Sequence, residues 1–139
     1  MKMNTEGSYF TPNDNSINDT VKVLEDILKE LNEGTKVTIG IDCNANNFYS
    51  DAAKKYEMDG FKTPIENDQL VDFYLKYLSE HPLITYLEDP MSELDSQGWK
   101  RLISKFEGKT NIEFAGKNLF MDNLHILKDV KIILLLNNF

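Results

Sequence analysis

The sequence predicts an α/β fold in which about four parallel strands alternate with helices. Short apolar runs that end in polar or charged residues occur at residues 37–42, 83–90, 112–118 and 130–137. The segments between these runs have the spacing of amphipathic helices, and this alternation is typical of βα units. Functional side chains in such folds lie just beyond the carboxyl ends of the strands. Asp42 and Glu88 occupy such positions.

The run LITYLEDP at residues 83–90 is the strand on which this prediction depends most. It lies between Pro82 and the terminal Pro90, it is rich in β-prone residues, and it is too short for a helix. We therefore expect a buried strand that presents Glu88 and Asp89 at its carboxyl end.

Helices are predicted from periodicity and from capping residues. Residues 1–15 are polar and are interpreted as a loop, after which Ser16 caps an amphipathic first helix. Asp68 begins the second helix, which ends before a proline because the residue preceding proline avoids the α conformation. A short third helix surrounds Trp99, and a helical turn is expected at 124–127.

Composition limits the class of protein. The chain has 139 residues, enough for one domain but fewer than the ~250 of a closed eight-stranded α/β barrel. The net charge of −8, without a basic cluster, argues against nucleic acid as a partner. A single cysteine, Cys43, excludes an internal disulfide and fits a reducing compartment. The apolar runs are shorter than the ~20 residues of a membrane-spanning helix. We expect a soluble, intracellular, cytoplasmic protein without membrane insertion.

Other residues with reactive groups are interpreted as structural. Cys43 is expected to be a small buried residue, since nothing in the sequence indicates a partner for a nucleophile. His81 and His125 have no neighbours at metal-ligand spacing. The acidic run at 93–95 is interpreted as a solvated loop.

Short motifs follow one another along the whole chain: Glu6-Gly7, Pro12-Asn13, IGIDC, Phe48-Tyr49, QLVDFY, LEDP, Trp99, Gly116 to Leu119 and LLLNN. In this order and at these spacings the sequence resembles the middle part of the enolase (phosphopyruvate hydratase) family. The resemblance implies a partial (half) TIM-type barrel, like the C-terminal domain of enolase. It implies one domain over residues 1–139, with a loop at 1–15 and βα units at 16–139.

The resemblance also implies a magnesium site at the strand ends. The family removes a proton alpha to a carboxylate, and Mg²⁺ stabilises the enolate that forms. By resemblance, Asp42 and Glu88 match the first two Mg²⁺ ligands. The third falls on Lys117, whose ammonium group repels a cation instead of binding it. The resemblance thus implies a degenerate metal site.

Catalytic positions of the family fall near both ends of the sequence. By resemblance, Glu6 matches the acid/base glutamate, and Asn137 stands where the family has the lysine that acts as general base. An amide has no useful proton affinity near neutral pH, so Asn137 cannot take that role.

A physical role for Lys117 is one hypothesis. Like charges at adjacent strand ends would destabilise the fold unless a cation lies between them. The Lys117 ammonium would take the place of Mg²⁺ and form an internal salt bridge with Asp42 and Glu88. The alternative is that all three side chains point into solvent.

These observations favour an enolase-like, catalytically inactive protein that acts as a structural or assembly subunit. Its open sheet edges would be covered by a protein partner or by self-association. The alternative is a split or truncated phosphopyruvate hydratase, which would convert 2-phosphoglycerate to phosphoenolpyruvate with Mg²⁺ and a companion chain. A third interpretation is a degenerate gene product without a selected role. No cofactor is expected unless the enzyme alternative holds.

Overall fold

The structure is a computed structural model that describes residues 17–31, 37–58, 60–109, 111–121, 123–126 and 128. Its elements follow in chain order as α1 (Ile17–Leu31), β1 (Ile39–Asp42), a 3-10 helix (Ala45–Phe48), β2 (Tyr49–Ser50), β3 (Lys55–Tyr56), α2 (Asn67–Glu80), β4 (Ile84–Glu88), α3 (Ser96–Phe106), β5 (Glu113–Ala115) and α4 (Lys117–Phe120).

The predicted parallel sheet is confirmed. Strands β1, β4 and β5 form a three-stranded sheet in the order β1-β4-β5, and both pairs are parallel. The predicted strand at 130–137 lies outside the described residues. The described strands do not close into a barrel, so the structure is an α/β sheet with helices.

A short antiparallel hairpin was not predicted. Strands β2 and β3 pair through Tyr49 with Tyr56 and Ser50 with Lys55. Tyr56 also bridges to Ile65 through two backbone hydrogen bonds of 2.9 Å. Strands of two residues are too short to show alternation in the sequence, which is why periodicity did not reveal them.

Helices α2 and α3 pack against each other and supply much of the core. Helix α2 begins one residue before the predicted Asp68, with a capping box between Glu66 and Gln69. The buried apolar residues of the two helices are Leu70, Val71, Tyr74, Tyr77, Trp99, Leu102 and Phe106.

The chain divides into two compact units, Met1–Thr38 and Ile39–Phe139. The first unit contains α1, which confirms the predicted amphipathic helix, while its predicted cap Ser16 lies outside the described residues. Residues 124–126 are helical, in agreement with the predicted turn, and His125 is exposed there. None of the described helices is long and apolar enough to cross a membrane.

Candidate functional site

Three carboxylates converge at the carboxyl end of the parallel sheet. Oxygen atoms of Asp42, Glu88 and Asp89 all lie within 4.8 Å of one another, and we call this group the carboxylate cluster. Asp42 is the partner of Glu88 in the register of β1 and β4, so the sheet itself places their side chains side by side.

Asp89 joins the cluster because the backbone turns at the end of β4. Successive residues of a strand point to opposite faces, so an extended Asp89 would point away from Glu88. Instead, Asp89 has φ 45°, in the left-handed region that non-glycine residues adopt infrequently. This conformation ends the alternation and brings the two neighbouring carboxylates to the same group.

Backbone hydrogen bonds fix this turn to both neighbouring strand ends. The Cys43 N–H donates to the Glu88 carbonyl at 2.8 Å, and the Ala45 N–H donates to the Asp89 carbonyl at 3.0 Å. On the other side, the Asp89 N–H donates to the Ala115 carbonyl at 2.8 Å. The cluster is therefore held on a rigid part of the sheet.

Each carboxylate of the cluster also accepts a hydrogen bond from a nearby donor. The Asn44 N–H donates to Asp42 Oδ1 at 3.1 Å, and the Tyr86 hydroxyl donates to Glu88 Oε2 at 2.9 Å. The Asn118 N–H is shared by Asp89 Oδ1 and Oδ2, at 3.1 Å from each. These donors engage one oxygen of Asp42 and one of Glu88, so the other oxygen of each is available to a ligand.

Burial and the neighbouring acids raise the pKa of the Asp89 carboxyl group, whereas the Asn118 N–H and Lys117 lower it. Its side chain is buried, and this desolvation raises the pKa of its carboxyl group. The Asn118 N–H lowers that pKa, the charges of Asp42 and Glu88 raise it, and the charge of Lys117 lowers it. A cation near the cluster would favour the ionised form, as Lys117 already does in part.

Lys117 lies at the start of α4, next to the cluster but exposed. Its positive charge lowers the pKa of the Asp89 carboxyl group. Within the described part of the chain, no ion pair joins Lys117 to Asp42 or Glu88. The salt bridge expected in place of Mg²⁺ is thus not among the described contacts, and the role of Lys117 stays a hypothesis.

A second acidic group behind the strand ends is structural. The carboxylate of Asp95 accepts hydrogen bonds from the Tyr56 hydroxyl at 2.8 Å, Asn67 Nδ2 at 3.2 Å and the Gly98 N–H at 2.8 Å. Asp95 is 7% exposed, so the expectation of a solvated loop at 93–95 is wrong for this residue. Asp95 caps α3 and ties it to β3 and α2.

Cys43 is partly buried beside the cluster. Burial is the largest effect on its thiol and raises the pKa to about 12, against a smaller lowering by a hydrogen bond with Tyr74. The thiol is therefore protonated near neutral pH, in keeping with the interpretation of Cys43 as a structural residue.

The other predicted positions, Glu6 and Asn137, lie outside the described residues. Sequence analysis placed Asp42 and Glu88 at neighbouring strand ends, as the structure does, but it assigned no role to Asp89, Tyr86 or Asn118. The run Glu88-Asp89 before a proline was the available signal for Asp89, because a chain turn there can bring adjacent acids together.

Comparison with known proteins agrees with the family resemblance found in the sequence. The family model described as "Enolase, C-terminal TIM barrel domain" matches residues 2–133. The enolase of Methanococcus aeolicus is 32% identical to this chain over 119 residues, which are 86% of this chain and 27% of that enolase. The chain thus spans much less than two thirds of the length of this relative.

Proposed function

Since this chain belongs to the enolase family, we propose that it is an enolase-like subunit that does not dehydrate 2-phosphoglycerate by itself and acts within an assembly. The observation that carries this proposal is Lys117. The ammonium group of Lys117 acts on Asp89 at this strand end. It would repel the Mg²⁺ ion on which the family's chemistry depends.

The base position supports the same proposal. By resemblance, Asn137 replaces the lysine that removes the proton, and an amide cannot accept it. General bases contribute about 10²- to 10⁴-fold to rates, so this replacement alone would make turnover slow.

The sheet supports an assembly role. Strand β1 is an outer strand of the described sheet, since it pairs there with the central β4 alone, whereas the strand predicted at 130–137 is a candidate neighbour of β5. Outer strands carry backbone groups that pair readily with another strand, and proteins generally cover them. A second copy of this chain or another protein chain would supply that cover.

The residues present fit a divalent cation in part. Three carboxylates with oxygen atoms in reach of one another suit a hard cation such as Mg²⁺, and Asp89 supplies the third ligand that position 117 lacks. Bound there, Mg²⁺ would stabilise developing negative charge on a carboxylate substrate. We propose a cation site of low affinity, where the sequence predicted a degenerate site and no cofactor unless the enzyme alternative holds, with Lys117 weakening the binding.

The carboxylate cluster also favours a second candidate, a divided enolase that another chain completes. In that case the companion chain supplies the base and the phosphate-binding residues. This candidate requires Mg²⁺-dependent formation of phosphoenolpyruvate when the two chains are mixed.

The test combines an activity assay with a measurement of molar mass. The purified chain is incubated with 2-phosphoglycerate and Mg²⁺, beside an active enolase as positive control, while sedimentation equilibrium gives its assembly state. We expect no phosphoenolpyruvate and a defined oligomer, or a stoichiometric complex with a chain from the native cells. Turnover by the chain alone, or a stable monomer without a partner, would refute the proposal.

A further inference from the structure

Tyr86 is coupled to Glu88 through the geometry of β4. The two residues are separated by one position, so their side chains leave the strand on the same face. The Tyr86 hydroxyl donates to Glu88 Oε2 at 2.9 Å. The phenol thus engages one oxygen of the carboxylate, and among the described residues no donor engages Oε1.

Gly40 on the neighbouring strand leaves room for the Tyr86 ring. Gly40 is the register partner of Tyr86. A Cβ atom on Gly40 would lie 3.2 Å from Tyr86 Cδ1 and 3.6 Å from Tyr86 Cβ, and the first of these contacts is tighter than ordinary packing. The bare backbone of Gly40 is therefore what allows the ring to lie against β1.

We infer that Tyr86, held against Gly40, is a positioning residue that orients Glu88 toward a divalent cation bound by the carboxylate cluster. The inference rests on the cation site of the proposed function. A carboxylate ligand that is also hydrogen-bonded by a neighbouring group is held in one orientation before the metal arrives, so less conformational freedom is lost on binding. Asn44 and Asn118 do the same for Asp42 and Asp89 through their backbone N–H groups.

The first test removes the hydroxyl and keeps the ring. Mn²⁺ serves as the probe, because its binding to the full chain is measured by electron paramagnetic resonance without substrate or turnover. Loss of a hydrogen bond that orients a metal ligand costs about 10- to 100-fold in affinity. We expect Tyr86→Phe to bind Mn²⁺ about tenfold more weakly than the unchanged chain.

Tyr49→Phe is the matched control. It makes the same chemical change on β2, where the Tyr49 ring packs against Tyr56 with centroids 4.8 Å apart. Mn²⁺ affinity should be unchanged in this variant. An equal loss in both variants would show a general effect of removing a phenol and would overturn the inference.

A second variant tests the ring position. In Gly40→Ala the hydroxyl remains, but the ring must shift by a few tenths of an ångström away from the new methyl group. We expect Mn²⁺ affinity to fall, by less than in Tyr86→Phe. Because both changes act on the same hydrogen bond, the double variant should bind Mn²⁺ no more weakly than Tyr86→Phe alone. Additive losses would mean that Gly40 acts independently of Tyr86 and would contradict the coupling.

The outcomes separate this inference from the proposed function. Tyr86→Phe binding as tightly as the unchanged chain would overturn the inference, whatever the activity assay shows. If the unchanged chain binds no Mn²⁺, the comparison is made in the Lys117→Asp background, and absence of binding there as well refutes the cation site and the inference together. Turnover by the chain alone would refute the proposed function and leave the affinity comparison valid.

Discussion

The carboxylate cluster lies at the ends of β1 and β4, the Asp95 carboxylate lies at the start of α3, and their surroundings differ. Asp42 is exposed and Glu88 is half-buried, and each engages one oxygen with a described donor. Asp95 is buried, and three donors surround its two oxygens. Asp95, whose oxygens are all engaged by protein donors, stabilises the fold, whereas Asp42 and Glu88 crowd together with an oxygen each to spare and are suited to a ligand. Asp89 is intermediate, because it is buried like Asp95 but shares one donor, the Asn118 N–H, between its two oxygens.

The largest effect on stability should come from substituting Asp95, the buried structural acid. Asp95→Ala would leave the Tyr56 hydroxyl, the Asn67 amide and the Gly98 N–H without their acceptor. Each buried unsatisfied group costs about 1–3 kcal/mol, so we expect a loss of roughly 3 kcal/mol or more in the free energy of unfolding. Urea unfolding followed by circular dichroism measures this loss.

Asp42→Ala is the matched control for that experiment. Asp42 is exposed and accepts one described hydrogen bond, from Asn44, while it repels its acidic neighbours. Its removal should change the free energy of unfolding by less than about 1 kcal/mol. If Asp42→Ala destabilised the chain as much as Asp95→Ala, the distinction between a ligand cluster and a structural acid would be wrong.

The next effect concerns the charge beside the cluster. Lys117→Asp replaces a repelling cation by a possible ligand, so we expect Mn²⁺ to bind on the order of tenfold more tightly. Calorimetric titration of the variant measures the change. Lys62→Asp, an equal charge reversal at an exposed position, is the control and should have little effect.

An unchanged Mn²⁺ affinity in Lys117→Asp would show that Lys117 does not control the site. The hypothesis that the Lys117 ammonium takes the place of Mg²⁺ would then be wrong as well. A gain of similar size in Lys62→Asp would point to net charge instead of position, because long-range effects of that kind are screened by salt.

Some features of the carboxylate cluster and of Asp95 could be predicted from the sequence, and others could not. The apolar runs and their terminal acids predicted the parallel sheet and the adjacency of Asp42 and Glu88, because strand direction alone fixes which ends meet. Asp89 was not assigned to the cluster, since its left-handed φ is accompanied by hydrogen bonds to Ala45, in the 3-10 helix after β1, and to Ala115 on β5.

The burial of Asp95 was hidden for a similar reason. Its partners Tyr56 and Asn67 are 39 and 28 residues away along the chain, and one of them lies in the hairpin that periodicity could not reveal. Local patterns predict elements well, but they do not predict which polar residues from distant elements satisfy one another.

The smallest effect is expected at Cys43. This residue is partly buried and lies next to Asp42. Burial raises the pKa of its thiol to about 12, from the ordinary value of 9.0 that the unfolded chain would show. Above pH 9 the unfolded thiol ionises while the folded thiol does not, so this group lowers the stability of the fold as the pH rises toward 12. We expect Cys43→Ser to reduce the slope of stability against pH in that window, measured by urea unfolding at several pH values.

Alkylation by iodoacetamide at pH 8 should be slow in the folded chain and fast in urea. Equal alkylation rates in both states would show that the thiol is not protected, and Cys43 would then belong with the accessible groups at the strand ends.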